Sequence, residues 1–150
     1  MKHLKLMLLL LFLVSILVVL SQKELFNFGP VCRGEEKCFK GTIEEIIDGD
    51  TFLINNQHVR LSLVNTPEIN QTGYQEAKDF VGILCPIGSE VIVDQDDGQP
   101  YSYGRIVAVV YCNGKHLNEE LLKNQLGKIY TDFCVKSEFG RDKWSKDYGC

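Results

Sequence analysis

Residues 41–68 read GTIEEIIDGDTFLINNQHVRLSLVNTPE, and this stretch decides the fold. Two turn signals, Asp48-Gly49 and Asn55-Asn56, divide it into three largely apolar or alternating segments, 42–47, 51–54 and 58–64. Short segments of this kind between turn dipeptides are typical of consecutive β-strands. The stretch therefore predicts a three-stranded meander.

Residues 69–111 predict one helix followed by two strands. The pattern Thr72-x-x-Gln75 has the form of a capping box, and the apolar face after it predicts a helix that ends at Cys85-Pro86. The segments 91–93 and 105–111 are rich in β-branched residues and predict strands on either side of a polar loop.

The C-terminal part predicts further helices. Asn118 is expected to cap the first of them, with Gly127 as its C′ residue, and a short helix is expected around Trp144. The resulting order is three strands, a helix, two strands and a helix. This order is that of a β-barrel with helices, an α+β fold: a five-stranded OB-fold barrel with two to three helices.

The N-terminal segment has a different character. Lys2, His3 and Lys5 precede a run, 6–20, that is apolar except for one serine. A basic flank before about fifteen apolar residues is typical of a secretory signal, whereas a spanning helix needs about twenty. We predict that residues 1–22 are a signal peptide or an N-terminal membrane anchor. The protein would then be secreted, or anchored on the outer face of the cytoplasmic membrane.

All six cysteines follow this segment, and an even number in a short exported chain favours disulfides, with 15 possible pairings. Zinc is the alternative, but the sequence has no C-x-x-C pair and its three histidines are scattered. As a hypothesis, the first two cysteines close a small loop, the last two fasten the tail, and the middle two pair with each other. These hypothetical pairs are Cys32 with Cys38, Cys134 with Cys150, and Cys85 with Cys112.

The charge balance is acidic. The chain has 16 Lys and Arg against 20 Asp and Glu, a net charge of −4; residues 1–22 contain two of the lysines, so 14 cations against 20 acids, or −6, remain after them. Proteins that depend on phosphate contacts usually have a basic surface. The balance argues against tight, non-specific nucleic-acid binding, but it is compatible with an enzyme that uses a few local cations and releases its product.

Four polar features interrupt the apolar pattern at the ends of the predicted strands. Hard oxygen ligands suit Ca²⁺ or Mg²⁺, a carboxylate can activate water, and two guanidinium groups can bind a phosphate and neutralise charge that develops on it. Each feature alone can be a turn or a solvent-facing position, but the set is typical of metal-assisted phosphodiester hydrolysis. The features are Asp48-Gly49-Asp50-Thr51, Arg60, Asn65-Thr66-Pro67-Glu68 and Tyr103-Gly104-Arg105.

Five separated motifs resemble the staphylococcal nuclease family in order and spacing, over about residues 41–130. They are I-D-G-D-T (47–51), R-L-S-L-V-N-T-P-E (60–68), the helix start Glu76-Ala77, Y-G-R (103–105) and L-N-E-E-L-L-K-N-Q-L-G (117–127). The resemblance implies a calcium-dependent nuclease that cleaves DNA and RNA with little sequence preference and leaves 3′-phosphate ends.

The resemblance also implies a role for each matching position. Asp50 would be a calcium-ligating carboxylate, and the backbone carbonyl of Thr66 would bind the same ion. Glu68 would orient and activate the attacking water. Arg60 and Arg105 would bind the scissile phosphate and stabilise the pentacoordinate transition state. A sixth position, Tyr103, would line the nucleotide pocket.

One position departs from the family pattern. Asn65 stands where the family usually has a second calcium-binding aspartate; its amide oxygen can coordinate a hard cation but adds no negative charge. We therefore expect weaker calcium binding. The alternative hypothesis is a catalytically inactive OB-fold module that binds nucleic acid or a protein. A structural protein of the cell envelope is a further option, for which nothing in the sequence speaks.

The predicted domain organisation has four parts. Residues 1–22 are the signal or anchor, 23–40 a linker with the Cys32/Cys38 loop, 41–134 the nuclease domain, and 135–150 a C-terminal extension. The extension is expected to be a disulfide-tied helix that covers the barrel, with its tryptophan anchored in the core. A monomer without a stable protein partner is expected.

Overall fold

The computed structural model describes residues 32–34 and 36–150. The predicted signal or anchor, and the first part of the linker, lie outside the described residues. Within residues 32–34 and 36–150, no helix is both long and apolar enough to cross a membrane.

Nine strands and three α-helices form the described part of the chain. The strands are β1 (Cys38–Ile46), β2 (Thr51–Ile54), β3 (Gln57–Leu61), β4 (Val64–Asn65), β5 (Glu90–Gln95), β6 (Tyr101–Ser102), β7 (Arg105–Cys112), β8 (Lys115–His116) and β9 (Lys128–Ile129). The helices are α1 (Tyr74–Leu84), α2 (Leu117–Lys123) and α3 (Lys143–Asp147), with 3₁₀ turns at Thr131–Phe133 and Glu138–Arg141.

Five of the strands close into a barrel. β1 pairs with β2 and β5, β2 pairs with β3, and β5 pairs with β7, all antiparallel. The barrel is closed by β3 and β7, which run parallel with Arg60 opposite Val107. Closure leaves no unpaired sheet edge between these strands. The predicted five-stranded OB-fold barrel with helices is confirmed.

Tight turns set the register of the outer hairpins. β2 and β3 are joined by Asn55-Asn56, and β7 and β8 by Asn113-Gly114; all four residues have positive φ, from 48° to 73°. Positive φ at both central residues is the type I′ geometry, whose twist matches that of the paired strands, and asparagine and glycine tolerate it best. The turn predicted at Asn55-Asn56 is therefore present.

The barrel interior is filled by apolar side chains from alternating strand positions. Phe52, Ile54 and Val59 are fully buried, and α2 contributes Leu117 and Leu121 to the same core. Burial of side chains of this size stabilises the fold by about 1.5–3 kcal/mol each. The core therefore fixes the strand ends from which the polar side chains project.

The start of α1 differs from the prediction. The N-cap is Gly73, at φ 93°, and no side chain caps the helix, so Thr72-x-x-Gln75 does not form a capping box. The turn before the helix has a side-chain hydrogen bond of its own, because Gln71 Oε1 accepts from the backbone N–H of Glu68. A left-handed glycine then leads the chain into the helix.

Both predicted ends of α2 are also wrong. His116 is the N-cap, because its Nδ1 accepts a hydrogen bond from Glu119 N at 3.1 Å, whereas Asn118 is fully buried inside the helix. At the other end Gln125, at φ 59°, takes the left-handed position predicted for Gly127. The N–H groups of residues 125 and 126 bond to the carbonyls of residues 122 and 121, which is the Schellman pattern.

Regular structure begins within the segment predicted as a linker, and the predicted extension shares the barrel core. β1 begins at Cys38, inside the segment predicted as a linker, and pairs with β5 from its first residue. Beyond residue 134, Phe139 and Trp144 lie in the same hydrophobic core as the barrel residues. The tail therefore packs against the barrel as expected, with its tryptophan buried.

The six cysteines form three disulfides, as hypothesised. They join Cys32 to Cys38, Cys85 to Cys112, and Cys134 to Cys150. The second connects the end of α1 to the end of β7, and the third fastens the chain end beside the first 3₁₀ turn. Each closes a loop and so restricts the unfolded chain.

Candidate active site

The loop between β1 and β2 positions Asp50. Asp48 Oδ1 accepts a hydrogen bond from Asp50 N at 2.9 Å, which tightens the turn. Gly49 allows a close approach, because a Cβ at this position would lie 2.8 Å from Ala77 Cβ and 2.9 Å from Thr66 Oγ1. The D-G-D motif is therefore a packed junction of this loop, α1 and the segment after β4.

The Asp50 carboxylate is buried and fully hydrogen-bonded. Its Oδ1 accepts from Arg60 Nη1 at 2.6 Å and from Thr51 Oγ1 at 3.1 Å, and its Oδ2 accepts from Thr66 N at 2.7 Å and from Thr66 Oγ1 at 3.1 Å. Burial raises the pKa of Asp50, while the Arg60 guanidinium and the Thr66 N–H act in the opposite direction. The side chain is 2% exposed, so it needs these partners to remain ionised.

A sharp corner between β3 and β4 brings Asn65 to the same place. Leu63 has φ 60°, a left-handed conformation that costs a non-glycine residue about 1–3 kcal/mol. The corner turns the chain so that Asn65 Oδ1 accepts a hydrogen bond from Arg60 Nη2 at 2.7 Å. Arg60 thus bridges the two side chains that the sequence predicts as metal ligands.

A cavity of about 280 Å³ lies beside this bridge. Its polar wall contains Arg60, Asn65, Glu68 and Arg105, which come from β3, β4, the following loop and β7. Tyr103 stands at the rim, 96% exposed, in the two-residue turn between β6 and β7. Residues that are up to 45 positions apart in sequence therefore face one cavity.

The side chains of Glu68 and Arg105 form few hydrogen bonds within the described part of the protein. Arg105 Nε donates to the backbone carbonyl of Ser102 at 3.3 Å, and among the described residues no side chain donates a hydrogen bond to the Glu68 carboxylate. Both groups are therefore available to a ligand or to water in the cavity.

The structure adds an aromatic wall that the sequence reasoning missed. Tyr130 and Phe133 line the same cavity, with their rings in edge contact at a centroid distance of 4.7 Å. The two rings supply an apolar surface on which a flat ring can pack. The spacing Tyr130-x-x-Phe133 offered no signal, because the positions are brought to the cavity by the β4–β9 pairing.

A second missed feature is the hydrogen-bond network of Asp96. Asp96 is fully buried, and its Oδ2 accepts from Ser62 Oγ at 2.6 Å and from Ser137 Oγ at 2.5 Å. Its Oδ1 accepts from three backbone N–H groups, of Gly98, Gln99 and Glu138. The carboxylate therefore joins the end of β3, the loop after β5 and the C-terminal tail.

One other grouping of possible metal ligands occurs within the described residues. Cys32, Cys38 and Asp94 lie within 4.8 Å of one another, but both sulfurs belong to a disulfide. The grouping is therefore not a metal site, which agrees with the choice of disulfides over zinc.

The closed barrel defines an OB-fold protein, and the cavity beside Arg60 is its candidate active site. Residues 58–145, more than half of the chain, match the family model described as staphylococcal nuclease homologue, and the chain belongs to the staphylococcal nuclease family. The resemblance seen in the five sequence motifs is thereby confirmed.

Two relatives with nuclease names agree with this assignment, and an uncharacterised protein is also similar. The chain is 36% identical over 100 residues to an uncharacterised protein of Bacillus anthracis, covering 60% of this chain and 47% of that protein. It is 29% identical over 111 residues to endonuclease YncB of Bacillus subtilis, covering 67% and 52%. It is 27% identical over 134 residues to the thermonuclease of Staphylococcus hyicus, covering 79% and 78%. The chain spans about half the length of the first two relatives.

Proposed function

We propose that this protein is an exported, calcium-dependent endonuclease that hydrolyses phosphodiester bonds of DNA and RNA with little sequence preference, leaving 3′-phosphate ends. The observation that carries the proposal is the convergence of Arg60, Arg105 and Glu68 on one cavity, next to the buried Asp50. Membership of the nuclease family supports the same reaction.

The chain's own residues fit a hard cation. The oxygen groups bonded to Arg60 are the Asp50 carboxylate and the Asn65 amide oxygen. The family resemblance adds the backbone carbonyl of Thr66, whose N–H and hydroxyl donate to Asp50, and calcium prefers oxygen ligands of these kinds. The Arg60 guanidinium, bonded to both Asp50 and Asn65, already places a positive charge between two of the donors. When bound, calcium would supply an electrophile that offsets negative charge on the phosphate.

The two arginines bind and stabilise the reacting phosphate. Guanidinium groups bind phosphate oxygens with two parallel hydrogen bonds, and these bonds strengthen as charge develops in the transition state. The Arg60 side chain is only 13% exposed, and its Nη1 donates a hydrogen bond to Asp50 Oδ1. Its orientation is therefore fixed before substrate binds. Arg105 approaches the same cavity from β7.

Glu68 acts as the general base. Its carboxylate is free of hydrogen bonds from other described side chains, and its backbone N–H is anchored by Gln71. It accepts a proton from the attacking water, whose oxygen forms the new bond to phosphorus while the bond from phosphorus to the 5′-oxygen breaks. The leaving 5′-oxygen takes a proton from solvent, giving a 3′-phosphate and a 5′-hydroxyl.

The aromatic side chains bind the nucleoside without reading sequence. Tyr103, Tyr130 and Phe133 line the cavity, so their rings are available for a base to stack on. Stacking of this kind accepts every base, since all four have a π-face. This accounts for the proposed lack of sequence preference and for activity on both DNA and RNA.

The place of action is proposed to be outside the cytoplasm. All six cysteines are paired, and disulfides persist in oxidising compartments. The signal-like apolar run within residues 1–22 supports the same location. The protein would be released if this segment is cleaved, and attached to the membrane if it is kept. We propose a monomer, because every group assigned to the reaction comes from one chain.

The test is cleavage of single-stranded DNA and RNA by the oxidised full-length chain in millimolar calcium and in chelator. Glu68→Gln is compared with the matched control Glu76→Gln, which changes an exposed glutamate on α1. We expect calcium-dependent cleavage with 3′-phosphate ends that is lost in E68Q and kept in E76Q. If the folded wild-type chain cleaves neither substrate at any calcium concentration, the alternative of a non-catalytic binding module replaces this proposal.

A further inference from the structure

A second groove lies on the other side of Asn65. It has a volume of about 410 Å³ and is lined by the loop before α1 and by the segment between α2 and β9. This volume falls in the range of pockets that hold small molecules, about 300–1,000 Å³. The groove shares only Asn65 with the cavity that contains Arg60 and Arg105.

The groove and the reactive cavity are adjacent because both are lined by Asn65 of β4. In the short β4–β9 sheet, Asn65 is the register partner of Lys128. Asn65 Oδ1 faces Arg60, so the residue forms the wall between the reactive site and the groove. Gly127 packs closely against β4, because a Cβ there would lie 3.0 Å from Val64 Cγ1 and 3.4 Å from Asn65 O.

The lining of the groove suits a polyanion that also has flat, apolar parts. Lys128 is exposed and forms no ion pair with any residue in the described part of the chain. The amide side chains of Gln71 and Gln125 add neutral hydrogen-bonding groups, while Pro67 and Leu126 add apolar surface. No carboxylate from residues 32–34 or 36–150 lines the groove, although acidic residues outnumber basic ones in the protein as a whole.

We propose that this groove is a second subsite, which binds the nucleotide of a single-stranded nucleic acid that follows the one in the reactive cavity, with Lys128 on its phosphate. The proposal rests on the proposed nuclease function and extends it. OB-folds that bind single strands contact about 4–16 nucleotides along a cationic groove, more than one cavity of 280 Å³ can hold. The subsite therefore favours polynucleotides over single-nucleotide esters.

The test compares Lys128→Gln with the matched control Lys115→Gln in the full-length oxidised chain. Lys115 is also exposed, but it pairs with Cys112 at the far end of β7, and that end lies about 23 Å from Arg105 at 3.3 Å per residue. Binding of a fluorescent ten-nucleotide single strand is measured between 50 and 300 mM salt, with E68Q added to both variants to prevent turnover. Hydrolysis of a nitrophenyl ester of one nucleotide is measured with Glu68 intact.

One lost phosphate contact sets the expected size of the effect. Each phosphate contact to a single strand contributes about 0.7 to the slope of log affinity against log salt concentration. Between 1 M and 50 mM salt, one such contact therefore raises the affinity about eightfold. We expect K128Q to weaken ten-nucleotide binding about eightfold and to lower the slope by about 0.7. Hydrolysis of the nucleotide ester should stay within twofold of wild type, and K115Q should change neither quantity.

The possible failures are distinguishable. If the wild-type chain hydrolyses the ester but K128Q binds the ten-nucleotide strand as K115Q does, the second subsite is refuted while the nuclease function stands. If K128Q reduces binding and ester hydrolysis equally, Lys128 belongs to the reactive cavity and the proposal is again refuted. If the wild-type chain neither hydrolyses the ester nor cleaves single-stranded DNA or RNA in the calcium assay described above, the proposed function itself fails.

Discussion

Changing Asn65→Asp restores the charge that the site lacks. The new carboxylate would occupy the position from which Asn65 Oδ1 now accepts a hydrogen bond from Arg60 Nη2 at 2.7 Å. It would add one negative charge to a donor set whose other carboxylate is Asp50. We expect the N65D variant to bind calcium more tightly than the wild-type chain.

The magnitude follows from the charges and their exposure. A divalent ion and a carboxylate about 4 Å apart attract by about 2 kcal/mol in water and by about 8 kcal/mol at an effective dielectric constant of 20. Asn65 is exposed, so the lower figure applies. The new carboxylate also attracts Arg60 more strongly, by up to about 1 kcal/mol, and this opposes binding of the ion. The net gain is therefore between about 1 and 2 kcal/mol, or roughly tenfold in the dissociation constant.

Calorimetric titration of the oxidised full-length chain with calcium measures this gain. Asn56→Asp is the matched control, because it adds the same charge at the exposed turn between β2 and β3, away from the site. We expect a roughly tenfold lower dissociation constant for N65D and little change for N56D. Equal or weaker calcium binding by a folded N65D variant would refute the assignment of Asn65 as an uncharged metal ligand.

Three further predictions concern the framework of the site. Gly49→Ala should lower the free energy of unfolding by about 1–3 kcal/mol and nuclease activity at least tenfold, because the added methyl would displace Thr66 from Asp50. Asp96→Ala should lower the free energy of unfolding in urea by about 3–5 kcal/mol, because it leaves buried donors without an acceptor. His116→Asn should remove a pH dependence of the free energy of unfolding. Burial lowers the pKa of His116 to about 4. Between about pH 6.5 and pH 4 the unfolded chain therefore binds a proton at this residue that the folded chain does not. Wild-type stability attributable to this group is therefore complete above about pH 6.5 and falls by about 3 kcal/mol as the pH drops to 4.

Matched variants separate these effects from general damage. Gly82→Ala adds a methyl that meets only Ile46 Cδ1, at 3.8 Å, and should leave activity intact. Asp132→Ala removes an exposed carboxylate, and His58→Asn an exposed imidazole. A D96A variant as stable as D132A would contradict the bridging role of Asp96. An H116N variant with the same loss of stability between pH 6.5 and 4 as H58N would contradict the burial argument.

The barrel was predictable because its signals are local. Alternating apolar residues and the Asn55-Asn56 turn lie within one stretch, and both periodicity and turn chemistry depend on near neighbours. The helix ends were not predictable in the same way. Thr72 and Asn118 are good capping residues, but a left-handed Gly73 and the ring of His116 took their places. Several residues can cap one end, and the tertiary structure selects among them.

The site was predictable to the extent that its residues lie close in sequence. Arg60, Asn65 and Glu68 fall within nine positions, and Arg105 belongs to the separate polar feature Tyr103-Gly104-Arg105. The aromatic wall and the Asp96 network were missed because their contacts join positions far apart in the chain; the bond from Ser137 to Asp96, for example, spans 41 residues. Such contacts exist only once the barrel is closed and the tail packs against it.

The most direct test of the central claim is the single-turnover rate of cleavage of one single-stranded oligonucleotide in saturating calcium. It is measured for the wild-type chain, Glu68→Gln, Arg105→Ala and the double variant, with folding checked by urea unfolding. We predict that each single variant loses at least about 100-fold, and that the double variant loses little more than the worse single one, because residues acting as a unit are not additive. A folded E68Q or R105A variant that cleaves within tenfold of wild type would contradict the assignment of the reaction to this cavity.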